Sequence, residues 1–143
     1  MRFNSIETEI SFNLLVWGLS SIVGGVTFMF FQNTFMNALG FQFIIWGTVD
    51  SGIAVGSIIY RSIKKLNHEE NLTKLKKILL MKILLDISFI FLGIIIFIGI
   101  IKINEYNGHG LGVIIQGGFL ALFDTYYVVK IMTKGSRWER KKY

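Results

Sequence analysis

ILLMKILLDISFIFLGIIIFIGII (Ile78–Ile101) decides the architecture of this chain. At about 1.5 Å of rise per residue, a helix over this stretch spans roughly 36 Å, more than a hydrocarbon core about 30 Å thick. Three further runs have the same character: Ile10–Phe31, Phe41–Tyr60 and Leu111–Ile131. From Ile10 to Val49 there is no formally charged residue. A soluble helix needs a polar face, and these have none wide enough. Hydrophobic residues make up 52% of the chain, and mean hydropathy is +0.57. The expected fold is all-α: a polytopic membrane protein, a four-transmembrane-helix bundle. It forms one membrane-embedded domain over residues 1–143, with helices about 10–31, 41–60, 72–101 and 111–132. A basic loop (61–77) and a basic tail (133–143) flank them.

Charge sorts by segment. Arg61, Lys64, Lys65, Lys74, Lys76 and Lys77 crowd the central loop, and Lys134, Arg137, Arg140, Lys141 and Lys142 the tail. The connection Gln32–Gly40 is uncharged, and Lys102–Gly110 holds one Lys. Positive segments stay on the cytoplasmic side, so both termini and the central loop are expected inside a cell membrane crossed several times. Met1–Glu9 lacks a signal-peptide pattern, so the first helix is expected to be retained. The net charge of +6 accompanies no nucleic-acid motif. The expected partners are the lipid bilayer and anionic headgroups at its cytoplasmic face, each basic residue contributing about 1 kcal/mol near the surface. Trp138, in the tail, suits the interface. Asn71 is placed to cap the third helix.

Asp50, Asp86 and Asp124 stand inside these apolar runs. A carboxylate at mid-helix costs roughly 2.5–3.5 kcal/mol on insertion scales, so each must be buried, paired, protonated or used. Residues three, four and seven apart share a helix face. One stripe reads Gln42, Trp46, Gly47, Asp50, Ala54, Ser57; another Gly112, Gln116, Leu120, Asp124, Tyr127; a third Lys82, Asp86, Gly93, Phe97. The first helix offers Asn13, Trp17, Ser20, Ser21, Gly24 and Thr27. The expected intramembrane polar cluster is Asp50, Asp86, Asp124, Gln116, Trp46, His109 and Tyr127. Lys82, one turn before Asp86, offers an intrahelical ion pair. Gly24, Gly47, Gly93, Gly112 and Gly117 are expected at helix contacts, and Gly52-x-x-x-Gly56 fits the same small-residue logic. By helix rise, Asp86 and Asp124 lie at about 12 Å and about 10 Å from the inner end, with Asp50 nearer mid-membrane.

The halves align weakly. Asn13–Gly25 matches Lys82–Ile94, pairing Trp17 with Asp86 and Gly24 with Gly93, and Ile44–Gly47 matches Ile114–Gly117. Two parallel-repeat hairpins would give this pattern, as would the ease with which apolar sequences align.

LGFQFIIWGTVD (Leu39–Asp50), LLMKILLDISFIFLG (Leu79–Gly93) and GHGLGVIIQGGFLALFDTYY (Gly108–Tyr127) resemble the motif blocks of a family of small four-helix prokaryotic integral membrane proteins of unknown function. The resemblance covers nearly the whole chain. It implies the four-helix architecture and a cluster at Trp46, Gly47, Asp50, Asp86, His109, Gly112, Gln116, Gly117 and Asp124. It implies no activity. The family pattern has a His shortly after its last Asp, where this chain has Tyr126-Tyr127.

Two functions stand open. The acids form a proton or small-cation pathway, or they only stabilise the bundle of a structural or accessory membrane protein. An enzyme is the weakest reading. Cysteine is absent, and no His pair, HExxH, Ser–His or Ser–Lys pattern or phosphate-binding glycine loop occurs. No catalytic residue, no cofactor and no metal are expected; His109, with Glu105 a turn earlier, is better read as a turn or helix-entry residue than a metal ligand. Four helices enclose little space, so transport of a larger solute would call for a homo-oligomer.

Overall fold

The computed structural model describes residues 6–64, 72–99 and 107–139. They form four helices: α1 (Ile6–Met29), α2 (Thr34–Lys64), α3 (Leu72–Phe97) and α4 (Asn107–Glu139). Each contains a stretch long and apolar enough to cross a membrane: Ile6–Met29, Thr34–Ile63, Leu72–Phe97 and Asn107–Thr133.

The boundaries differ from the apolar runs for local reasons. α1 takes in Glu7 and Glu9, outside the run, which pair with Arg61 and Lys130 across the bundle. α2 begins at Thr34, where Asn33 Oδ1 accepts the Phe35 amide at 2.8 Å and caps the helix. α3 stops at Phe97 rather than 101 because Gly99, at φ +73°, takes the left-handed conformation that ends a helix. α4 takes in Gly108–His109–Gly110, expected as a turn or helix entry, and continues through Glu139, well into the basic tail. Asn71, Glu105 and the side chain of Trp138 lie outside the described residues.

α1 packs on α2, α3 on α4, and α2 on α4. α4 is the central element: 44% of its apolar window is buried, against 17–22% in the others. The outer surface is apolar almost everywhere, with Val23, Ile63, Leu84 and Leu122 each at least two-thirds exposed. In water such a surface would be untenable; in lipid it is the ordinary exterior.

Glycines bring the backbones together. A Cβ on Gly47 would lie 2.5 Å from Gly18 O and 3.0 Å from Ile22 Cγ1, and one on Gly25 would lie 2.5 Å from Gly40 O and 2.8 Å from Ile44 Cγ1. In the second hairpin a Cβ on Gly117 would lie 3.2 Å from Asp86 O and 3.1 Å from Ile90 Cγ1. One on Gly93 would lie 2.9 Å from Gly110 O and 2.8 Å from Ile114 Cγ1. The hairpins match contact for contact. The offset is 68 between their first helices (Gly18 to Asp86, Gly25 to Gly93) and 70 between their second (Gly40 to Gly110, Gly47 to Gly117).

This corrects the sequence alignment on α1 by one residue. Gly93 corresponds to Gly25, not Gly24, whose Cβ would meet only Phe43 Cδ1, at 4.0 Å. The buried α1 face is Ser11, Leu14, Gly18, Ser21 and Gly25, so most of the expected stripe is rotated out of the interior. Beyond Glu9 the helix carries no charge and is largely apolar all round, so it offers little periodicity to read. Gly47, Gly93, Gly112 and Gly117 do sit at contacts, whereas Gly52 and Gly56 have nothing within 4 Å.

Candidate functional site

The expected α4 stripe forms: Gly112, Gln116, Leu120, Asp124 and Tyr127 are all buried. Asp124 is fully buried, and Asp50 and Asp86 are 3% exposed. Lys82 Nζ lies 3.2 Å from Asp124 Oδ1, which it hydrogen-bonds, and 3.0 Å from Oδ2, which it approaches off the bonding direction. The intrahelical Lys82–Asp86 pair therefore gives way to an interhelical one. The stem of Lys82 carries its ammonium across the α3–α4 seam to the deeper acid. Asp50 Oδ2 and Asp86 Oδ2 are buried without a hydrogen-bond partner. The charges are near enough to act on one another: Asp50 feels Lys82, Asp86 and Asp124, and Asp86 feels Asp124 and Lys82. Asp124 holds the ammonium in contact, and Asp50 and Asp86 lie within its electrostatic reach.

Asp50 sits at about the level of Asp86, not a step further out. Gln42 packs on Gly112, and two more turns along the parallel helices α2 and α4 bring Asp50 beside Leu120. Asp86 packs by its carbonyl on Gly117.

The remaining expected residues form separate groups. Gln116, with no exposed surface, accepts a hydrogen bond from Trp17 Nε1 at 3.0 Å and donates to Ser21 Oγ at 3.3 Å. Trp17 stacks on Phe119 with ring centres 3.5 Å apart. Trp46 meets Phe89 of α3 edge to face at 4.9 Å. His109 Nδ1 and Gln42 Nε2 are 3.0 Å apart near the loop end of the bundle. Tyr127 accepts from Asn13 at 2.7 Å and donates to Glu9 at 3.3 Å, beside the Glu9–Lys130 ion pair at 2.5 Å. That terminal-end network was missed in the sequence. Its signal was available: Glu9 and Lys130 flank apolar runs at the same end of the bundle. Among the described residues, no three His, Cys, Asp or Glu side chains are placed to share a metal ion.

Residues 13–125 match the model of a protein family described as a family of unknown function, DUF6992. The chain belongs to that family. The stretch matching DUF6992 contains Asp50, Lys82, Asp86, Gln116 and Asp124 and ends before Tyr127 and Lys130. No curated protein and no solved structure matches the chain.

The hairpin correspondence gives the cluster a counterpart. With the same offsets, Lys82, Asp124 and Asp50 correspond to Leu14, Ala54 and Leu120. Those three are buried together in one apolar cluster between α1, α2 and α4. Trp46–Phe89 likewise corresponds to Gln116–Ser21. This DUF6992 chain therefore fills one crevice with Leu, Ala and Leu, and the equivalent crevice with Lys, Asp and Asp.

Proposed function

We propose that the chain is a multi-pass protein of a prokaryotic cell membrane, with both termini and the basic segment 61–77 cytoplasmic. Its carboxylate cluster binds and passes protons or a small cation. The observation that carries this reading is the burial of three acids with a single contacting ammonium among them, Lys82 on Asp124, while Asp50 Oδ2 and Asp86 Oδ2 are unpartnered. Three ionised acids and one Lys leave a net charge of −2 in a low-dielectric interior. Protons or a cation must supply the balance. The matching glycine contacts support two hairpins related by an axis along the membrane normal.

The route is not a continuous chain of hydrogen bonds. Gln116 lies about 12 Å along α4 from Asp124, with buried Leu120 between them. Passage toward His109 requires water or a shift at that apolar layer. The basic segments would hold anionic headgroups at the cytoplasmic face, and a homo-oligomer would be needed for anything larger than a small ion.

The Lys82–Asp124 bond between α3 and α4 favours the second reading, an accessory protein in which the acids only stabilise the bundle. Flux measurements on protein in liposomes, at varied pH and beside Asp50→Asn, Asp86→Asn and Asp124→Asn, decide between them. Loss of proton or alkali-cation flux in folded variants is the expected result. A protein with no flux, or variants indistinguishable from it, would leave the accessory reading. A reporter fused after Tyr143 should behave as cytoplasmic; an external signal would overturn the orientation.

A further inference from the structure

We propose that Lys82 is the resident cation of the cluster and sets what the site accepts. A monovalent alkali cation binds the aspartates by displacing the Lys82 ammonium toward the surface. This rests on the carboxylate-pathway reading and names its ligand class.

Three observations converge on Lys82. First, its side chain is 35% exposed, while that of Asp124 is wholly buried and Asp50 and Asp86 are 3% exposed. Lys82 is thus the least buried member of the cluster. Its long stem lets the charged head move outward while the methylenes stay against apolar neighbours. Second, the scaffold does not require a cation there. The equivalent position on α1 is Leu14, buried with Ala54 and Leu120 in the same bundle. Third, the acids have coordination to spare, since Asp50 Oδ2 and Asp86 Oδ2 are buried and unpartnered.

The charged groups around Lys82 are Asp86 on its own helix, Asp124 on α4 and Asp50 on α2. α1 brings Leu14 to the matching level. Its acids Glu7 and Glu9 lie at the terminal end, paired with Arg61 and Lys130. Exchanging one positive charge for another keeps the charge beside Asp124 constant, which is the least costly change in a low-dielectric interior.

Two measurements test the exchange. In nanodiscs, infrared carboxylate bands would be followed as NaCl or KCl replaces choline chloride at fixed ionic strength. Lys82→Met and Lys82→Leu leave Asp124 without its partner. They should reach half-maximal band shift at an alkali concentration lower than that of the parent by at least about tenfold. Lys82→Arg should stay near the parent, and adding Asp124→Asn to Lys82→Met should abolish the gain. In the unaltered protein, an amine-acylating reagent followed by mass spectrometry should modify Lys82 faster in alkali chloride than in choline chloride. Asp124→Asn should make it fast in both.

Unchanged midpoints in the Lys82 variants, or acylation insensitive to alkali cation, would overturn the proposal. The acylation result decides if the variants do not fold. Flux lost in the Asn variants with unchanged Lys82 titrations would leave the pathway and remove the exchange. Shifted titrations with flux untouched by all three Asn substitutions would keep the exchange and remove the pathway.

Discussion

Converting the polar crevice toward its apolar counterpart tests the central structural claim. In Lys82→Leu/Asp124→Ala, the α3–α4 pair becomes the Leu–Ala pair that α1 and α2 already form with Leu14 and Ala54. The single changes should be unequal. Lys82→Leu strands Asp124, which is wholly buried, and breaking a buried pair in this way costs about 3–5 kcal/mol. Asp124→Ala strands a lysine that is already one-third exposed and can turn outward, so its cost should be about 1 kcal/mol. Replacing both partners by packed apolar groups is commonly neutral, or stabilising by about 1–4 kcal/mol. The double variant should therefore fall within about 1 kcal/mol of the parent or above it, a coupling of about 3 kcal/mol or more. The penalty in Lys82→Leu should shrink as pH falls, because protonation removes the stranded charge. Reversible unfolding by SDS in mixed micelles, run as a double-mutant cycle, measures these terms. A double variant destabilised by the sum of the singles would refute the reasoning, because the two crevices would then not be equivalent.

Two further outcomes follow from packing. Gly47→Ala places a Cβ 2.5 Å from Gly18 O and should cost about 1–3 kcal/mol, whereas Gly24→Ala meets nothing closer than 4.0 Å and should be neutral or slightly stabilising in the same SDS assay. Gln116→Leu leaves Trp17 Nε1 and Ser21 Oγ without their partner, so it should cost about 1–3 kcal/mol and shift the Trp17 fluorescence spectrum.

The α4 stripe was fully legible in the sequence, since Gln116, Asp124 and Tyr127 stand out on a greasy helix and helical spacing aligns them. α1 was not, because its Asn, Ser and Gly residues lie on several faces and charge marks none of them. Gly24 and Gly25 are adjacent in sequence, yet they differ by about 100° around the helix, and only the close approach of Gly40 selects Gly25. The pairing of Lys82 was equally undetermined. Asp86 lies one turn away on the same helix, Asp124 across a seam, and both are within reach of a lysine stem.

Length and hydropathy alone set the four helices, and the isolated acids alone marked where the interior must be polar. These are properties of each segment measured against lipid, whose thickness and low dielectric constant act on any helix singly. Tertiary structure decided how the polar groups divide: Gln116 to Trp17 and Ser21, Tyr127 to Asn13 and Glu9, and Asp124 to Lys82. It also decided that one crevice is Leu14–Ala54–Leu120 while its counterpart holds Lys82–Asp124–Asp50. Those assignments depend on the rotation and register of one helix against another. Glycine contacts at ångström range fix both, and no single segment carries that information.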